Sequence, residues 1–167
     1  EQGMTLLSLE LGRLLVETHD LNNEEVIKTV SKVLHSNGFE IAQNEEEMLV
    51  ERIKLILIEQ LVELPLHIKV NISQLLASVL YRDYKTLSKL FSSLEKTTIE
   101  KYFIKLKIEK VKELIQLKQH SFSDIGHLLD YSSVNHLSRQ FKDVVGMSMT
   151  DYKNTENWKR SFYDEII

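Results

Sequence analysis

Apolar residues change their rhythm about a quarter of the way along the chain. Up to residue 18 they fall in two short runs with some alternation, Thr5 to Glu10 and Leu14 to Thr18, and Gly12-Arg13 between them predicts a hairpin. Asn22, with Glu25 three residues on, supplies an N-cap and a capping-box carboxylate. Val26, Ile27, Val30, Val33 and Leu34 then recur at helical spacing as far as Asn37-Gly38, where glycine suits the left-handed end of a helix. Phe39 to Ala42 reads as a short strand, which makes the opening segment β-β-α-β. From Glu45 onward the period is helical throughout. A helix over about 45–63 carries Met48, Leu49, Ile53, Ile56, Leu57 and Val62 and is ended by the lone proline, Pro65. The same spacing predicts helices at about 72–80, 84–94, 97–118, 122–129, 133–145 and 149–159.

Sliding the chain over itself by 50 residues exposes a repeat. Residues 73–102 lie over 123–152 without a gap, with Ser73/Ser123, Tyr81/Tyr131, Leu87/Leu137, Ser88/Ser138, Phe91/Phe141 and Tyr102/Tyr152 identical. Each copy reads as a short helix opened by a serine cap, a tight turn, and a second helix whose inner face is set by Leu and Phe four apart. That is a helix-turn-helix plan, in which the first helix braces the second. With Leu87 and Phe91 inward, Lys85, Thr86, Ser88, Lys89 and Ser92 face out; with Leu137 and Phe141 inward, Asn135, His136, Ser138, Arg139 and Lys142 do. Those positions hold no carboxylate. Arg and Lys donate to guanine, Asn pairs with adenine, and Ser reaches a base or a phosphate. A connector of about 22 residues would span about 33 Å, near the roughly 34–36 Å of one turn of B-DNA. Its Lys101, Lys105, Lys107, Lys110, Lys112 and Lys118 could meet phosphates, but Glu100, Glu109 and Glu113 interleave with them, so only some should matter.

Charge sharpens the division. Across 167 residues the formal charge is −4, but residues 1–63 carry 5 Lys+Arg against 13 Asp+Glu and residues 64–167 carry 16 against 12. Only the later part suits a polyanionic partner. The absence of cysteine excludes disulfides, thiolate nucleophiles and cysteine-bearing metal sites, and points to a reducing compartment. Six dispersed histidines form no ligand pair, and there is no glycine-rich phosphate loop or nucleophile elbow. No enzyme activity, metal or cofactor is expected. Apolar runs are too short to span a bilayer, and the opening residues lack the pattern of a signal peptide. Trp158, Phe162 and Tyr163 suit either a C-terminal helix packing back or a partner surface.

SFSDIGHLLDYSSVNHLSRQFKDVVGMSMTDYK (121–153) resembles the AraC/XylS family of bacterial transcription regulators, in its capped helix, Ile-small pair, post-turn aromatic, Leu-Ser-Arg-x-Phe-Lys, Gly and closing Tyr-basic pair. The resemblance covers about residues 50–153. It implies a mainly α fold in which two homeodomain-like helix-turn-helix units (72–95 and 122–145) are joined by a linker helix (97–118). These form a DNA-binding domain at 67–160, preceded by a connecting helix at 45–66. It further implies base contacts from Lys85, Ser88, Lys89, Val134, Asn135, His136, Ser138 and Arg139, and phosphate contacts from Ser73, Tyr84, Ser123, Ser133 and Lys142. Departures from the family pattern are Leu80 and Asp130 at the turn glycine, Leu76 at the small brace position, and Met149 at the usual proline. They suggest a first copy that binds weakly or serves mainly for packing.

Residues 1–44 resemble the second half of a heavy-metal-associated, ferredoxin-like domain without its two metal-binding cysteines, so no copper or zinc is expected. Residues upstream or another subunit would complete it. The expected protein is a cytoplasmic, bacterial-type regulator of double-stranded DNA, with RNA polymerase or another regulator as a further partner and dimerisation through the N-terminal region. The competing reading, favoured by the net charge and Leu80, is a protein-interaction regulator that keeps the fold without operator binding.

Overall fold

The computed structural model describes residues 4–10, 13–18, 22–37, 41, 44–66 and 71–155. The chain forms two compact units, Glu1–Leu55 and Ile56–Ile167. In the first, β1 (Met4–Glu10) pairs antiparallel with β2 (Arg13–Thr18), and the register shifts between Leu6 and Ser8. Helix α1 (Asn23–Ser36) opens on Asn22, whose side chain accepts from the Glu25 amide while the Glu25 carboxylate accepts from the Asn22 amide. The expected capping box is therefore formed, and the helix closes on Asn37. Gly12, Gly38 and all of the expected 39–42 strand except Ile41 lie outside the described residues.

Helix α2 (Glu45–Glu59) runs through the boundary between the units. Asn44 caps it by accepting from the Glu47 amide at 2.8 Å. It ends short of the expected residue 63, because the chain turns at Gln60–Leu64 before reaching Pro65.

Beyond the end of α2, the described residues of the second unit form six helices: α3 (Ile72–Leu80), α4 (Tyr84–Glu95), α5 (Ile99–Leu117), α6 (Phe122–Leu128), α7 (Val134–Val145) and α8 (Met149–Asn154). α3 packs on α4, α6 on α7, and α5 touches α4, α6 and α7, so the long helix is the spine of both copies. Ahead of them Leu61 and Leu66 are buried, and the Leu66 amide donates to the Leu128 carbonyl at the end of α6.

The repeat persists in three dimensions. Helix starts fall 50 residues apart in each pair α3/α6, α4/α7 and α5/α8, and the caps are Asn71/Ser121, Asp83/Ser133 and Thr98/Ser148. Phe91 meets Tyr102 edge-on at 5.4 Å, and Phe141 meets Tyr152 at 5.5 Å. Leu87, Phe91, Leu137 and Phe141 are fully buried, and each contributes about 1.5–3 kcal/mol by leaving water. The left-handed residues that end α4 and α7 also correspond: Lys96, and Gly146 with φ +83°.

Four expectations change. The brace helix of the first copy is capped by Asn71 rather than by a serine, Ser73 lying within the first turn, whereas the second has its serine cap in Ser121. The left-handed turn residue of the first copy is Tyr81 (φ 51°), not Leu80; Leu80 is an ordinary helical residue, 7% exposed, so it imposes no strain on the turn. Leu76, where the second copy has Gly126, is absorbed as a fully buried core residue. The linker helix has 19 residues rather than 22, or about 28 Å of rise. It is shorter because Thr98 caps one end and Lys118 turns left-handed at the other. The separation of the two copies therefore depends on where each packs along α5 as well as on its length. The last helix stops at Asn154, and Trp158, Phe162 and Tyr163 lie outside the described residues.

Candidate nucleic-acid interface

Helix α4 has two contrasting faces. Leu87 and Phe91 anchor it, while Lys85, Thr86 and Lys89 are exposed and Ser88 and Ser92 half-buried. Asp83, the carboxylate nearest in sequence, is engaged as N-cap and accepts from the Thr86 amide at 3.2 Å. Among the described residues neither Lys85 nor Lys89 has a carboxylate partner, so both ammonium groups are available to an outside anion.

Two residues named as phosphate contacts for this copy have other bonds. The Tyr84 hydroxyl donates to the Glu100 carboxylate in the first turn of α5. Burial and that contact raise the phenol's pKa, and the same hydrogen bond lowers that of Glu100. A phosphate would have to displace Glu100, and the pairing instead fixes the start of α4 against the linker. Ser73 donates to the capping oxygen of Asn71 at 2.6 Å.

Helix α7 repeats the pattern with different chemistry. Leu137 and Phe141 face the core; Val134, Asn135, His136, Arg139 and Lys142 are exposed and Ser138 is half-buried. Arg139 and Lys142 have no carboxylate partner among the described residues. His136 lies edge-on to Tyr131 at 5.5 Å, with Nδ1 3.3 Å from the Ser132 hydroxyl. Ser133 accepts from the His136 amide at 3.1 Å, leaving its own hydroxyl hydrogen free to donate outward. Ser123, Ser133 and Val134 come together in a hollow of about 240 Å³ between α6 and α7, also lined by Gly126, His127, Tyr131 and Ser132. Its rim offers hydroxyl donors beside the positive end of α7, the arrangement that holds a phosphate oxygen.

The linker lysines sort themselves. Lys110 pairs with Glu113 at 3.0 Å and Lys112 with Glu109 at 2.5 Å, both at i,i+3 spacing within the helix. Lys107 lies 3.9 Å over the centre of the Tyr131 ring, and burial lowers its pKa to about 8 despite the opposing pull of Asp130. These three serve the interior of the domain. Lys101 and Lys118 are exposed.

Sequence periodicity missed Tyr81 and Arg82, which lead into α4 and are both exposed, Tyr81 to 92%. Aligning the copies offers the signal: Tyr131 is buried against Gln140 and His136, whereas the matching positions around Tyr81 hold Leu90 and Thr86.

Among the described residues no group of three or more metal-ligating side chains converges, and no helix is long and apolar enough to cross a membrane. Residues 76–155 match the family described as "Helix-turn-helix domain". Over 108 residues the chain is 30% identical to the probable transcriptional regulator LumQ of Photobacterium leiognathi, covering 65% of this chain and 43% of that protein. The chain thus spans less than half the length of that relative. Its backbone is similar to the C-terminal domain of AraT, a response regulator from Geobacillus stearothermophilus. The TM-score is 0.58 at 17% identity, over 70% of this chain and 92% of that one. Residues 76–155 are thus similar to the helix-turn-helix domain family, and α3 to α8 share the fold of that AraT domain.

Proposed function

We propose that the protein is a sequence-specific, DNA-binding transcription regulator that sets α4 and α7 into successive major grooves on one face of a duplex. The observation that carries this reading is the pairing of fully buried inner faces, Leu87/Phe91 and Leu137/Phe141, with outer faces whose cations have no carboxylate partner among the described residues. A helix held so firmly on one side can offer the other to a groove without rearranging. The helix-turn-helix match and the relative described as a probable transcriptional regulator support it.

On this reading Lys85, Ser88 and Lys89 meet base edges from α4, and Val134, Asn135, His136, Ser138 and Arg139 do so from α7. Asn135 and Arg139 have the geometry for bidentate contacts with adenine and guanine, and Val134 can pack on a thymine methyl. Ser123, Ser133 and Lys142 hold the backbone and set the register. Ser73 and Tyr84 support the fold through Asn71 and Glu100 instead. The protein works in the bacterial cytoplasm without catalysing a reaction. We further propose that the N-terminal segment, whose sequence resembles part of a ferredoxin-like domain, mediates dimerisation and contact with RNA polymerase or another regulator.

Selection of duplexes from a random pool by the full chain is the test. Enrichment of a common sequence, with binding that weakens steeply as salt rises, is the expected result. A pool that returns no enriched sequence would overturn the function in favour of a protein-interaction role on the same fold.

A further inference from the structure

The two copies agree in caps, core and aromatic pairs but part company at the turn. In the second copy Tyr131 is 8% exposed: its hydroxyl donates to Gln140 at 2.6 Å, its ring meets His136, and Lys107 lies over its face. The same residue type occupies the equivalent position 81, but the contacts are not repeated. Leu90 stands where Gln140 would be and offers no acceptor, and Thr86 stands for His136. Left-handed geometry slips by one residue, from position 130 of the second copy to position 81 of the first, and turns Tyr81 outward to 92% exposure.

A tyrosine there weakens the turn. Left-handed backbone is unfavourable for a residue with a Cβ, and an exposed ring recovers almost nothing by burial. Glycine would suit the turn better. Next to it the exposed Arg82 has no carboxylate partner among the described residues, and the neighbouring Asp83 is occupied as the cap of α4. Both side chains sit at the amino-terminal end of α4, followed by the exposed Lys85 and Lys89. The local cations favour a polyanion over an apolar protein surface.

We infer that Tyr81 and Arg82 form a DNA-backbone contact peculiar to the first copy, in which the phenol hydroxyl and the guanidinium donate to phosphate oxygens at the edge of the groove that α4 enters. The inference rests on the DNA-binding reading above. It gives the first copy a grip on the duplex that does not depend on sequence, and the second copy has no counterpart because Tyr131 is turned inward.

The full chain is titrated with a labelled duplex long enough to present two major grooves, at salt concentrations from about 50 to about 200 mM. Tyr81→Gly is expected to weaken binding several-fold at the lower salt while leaving the thermal midpoint unchanged or raised, since glycine relieves the turn. Arg82→Ala is expected to reduce the slope of log affinity against log salt by about one. Wild-type binding that both variants reproduce would overturn this contact alone. A wild type that binds no duplex at low salt would overturn the DNA-binding reading and the contact together. A lowered midpoint for Tyr81→Gly would show that the tyrosine supports the turn, and would also count against the inference.

Discussion

Truncating Phe141 to alanine separates the inner face of α7 from its outer one. The ring is fully buried and meets Tyr152 edge-on at 5.5 Å. Phe→Ala at such a site costs about 3–5 kcal/mol, of which the aromatic pairing accounts for about 0.5–1.5 kcal/mol. Set against a whole-domain stability of about 5–15 kcal/mol, this removes a large share of the total. A loss of 1 kcal/mol shifts the midpoint of a domain of this size by about 4–8 °C, so the variant should melt at least 12 °C, and up to about 40 °C, below wild type. Phe91→Ala should behave alike, because its ring is equally buried and meets Tyr102 at 5.4 Å. Arg139→Ala, on the exposed side, should stay within about 0.5 kcal/mol of wild type. Urea titration followed by circular dichroism reads all three. A cost below about 1 kcal/mol for Phe141→Ala, or one equalled by Arg139→Ala, would refute the assignment of faces.

Three further variants probe the linker. Burial holds the Lys107 pKa at about 8 against an ordinary 10.5, so between those pH values the unfolded chain keeps a proton that the folded one releases. Relative to Lys107→Met, wild type should therefore gain stability as pH rises through that window, its penalty being complete below pH 8; a flat or falling difference in urea melts would show that the Tyr131 ring and Asp130 outweigh burial. Glu109 is 8% exposed, and only one of its carboxylate oxygens is satisfied, by Lys112. Lys112→Met alone should destabilise more than the double change Glu109→Leu with Lys112→Met, which is expected to be neutral or stabilising; the opposite order in a double-mutant cycle would contradict this.

What the sequence made legible follows from how far each signal depends on tertiary contact. Helix α3 matches its expected bounds of 72–80, and α4, α6 and α7 differ from theirs by one residue at one end, since Leu and Phe four apart fix both period and inner face. The Asn22–Glu25 box was readable because it is local. The turns were not. Family spacing places the left-handed residue at Leu80, yet Tyr81 adopts it, because Leu80 is drawn into the core as one more helical residue. Linker charges were legible only in part. The sequence already shows Glu109 and Glu113 interleaving with Lys110 and Lys112, though not their pairing, whereas the ring over Lys107 comes from Tyr131 and is revealed only by the folded second copy. Exposure of Lys85, Lys89, Asn135 and Arg139 was legible from the helical period alone.

Hydroxyl-radical footprinting of the full chain on a duplex recovered by selection tests most directly whether one spine carries two groove-reading helices. Two protected patches on the same face, separated by about one helical turn of 10–10.5 base pairs, are expected; Arg139→Ala should fade one patch and Lys89→Ala the other. A single patch, or protection that neither substitution alters, would contradict it.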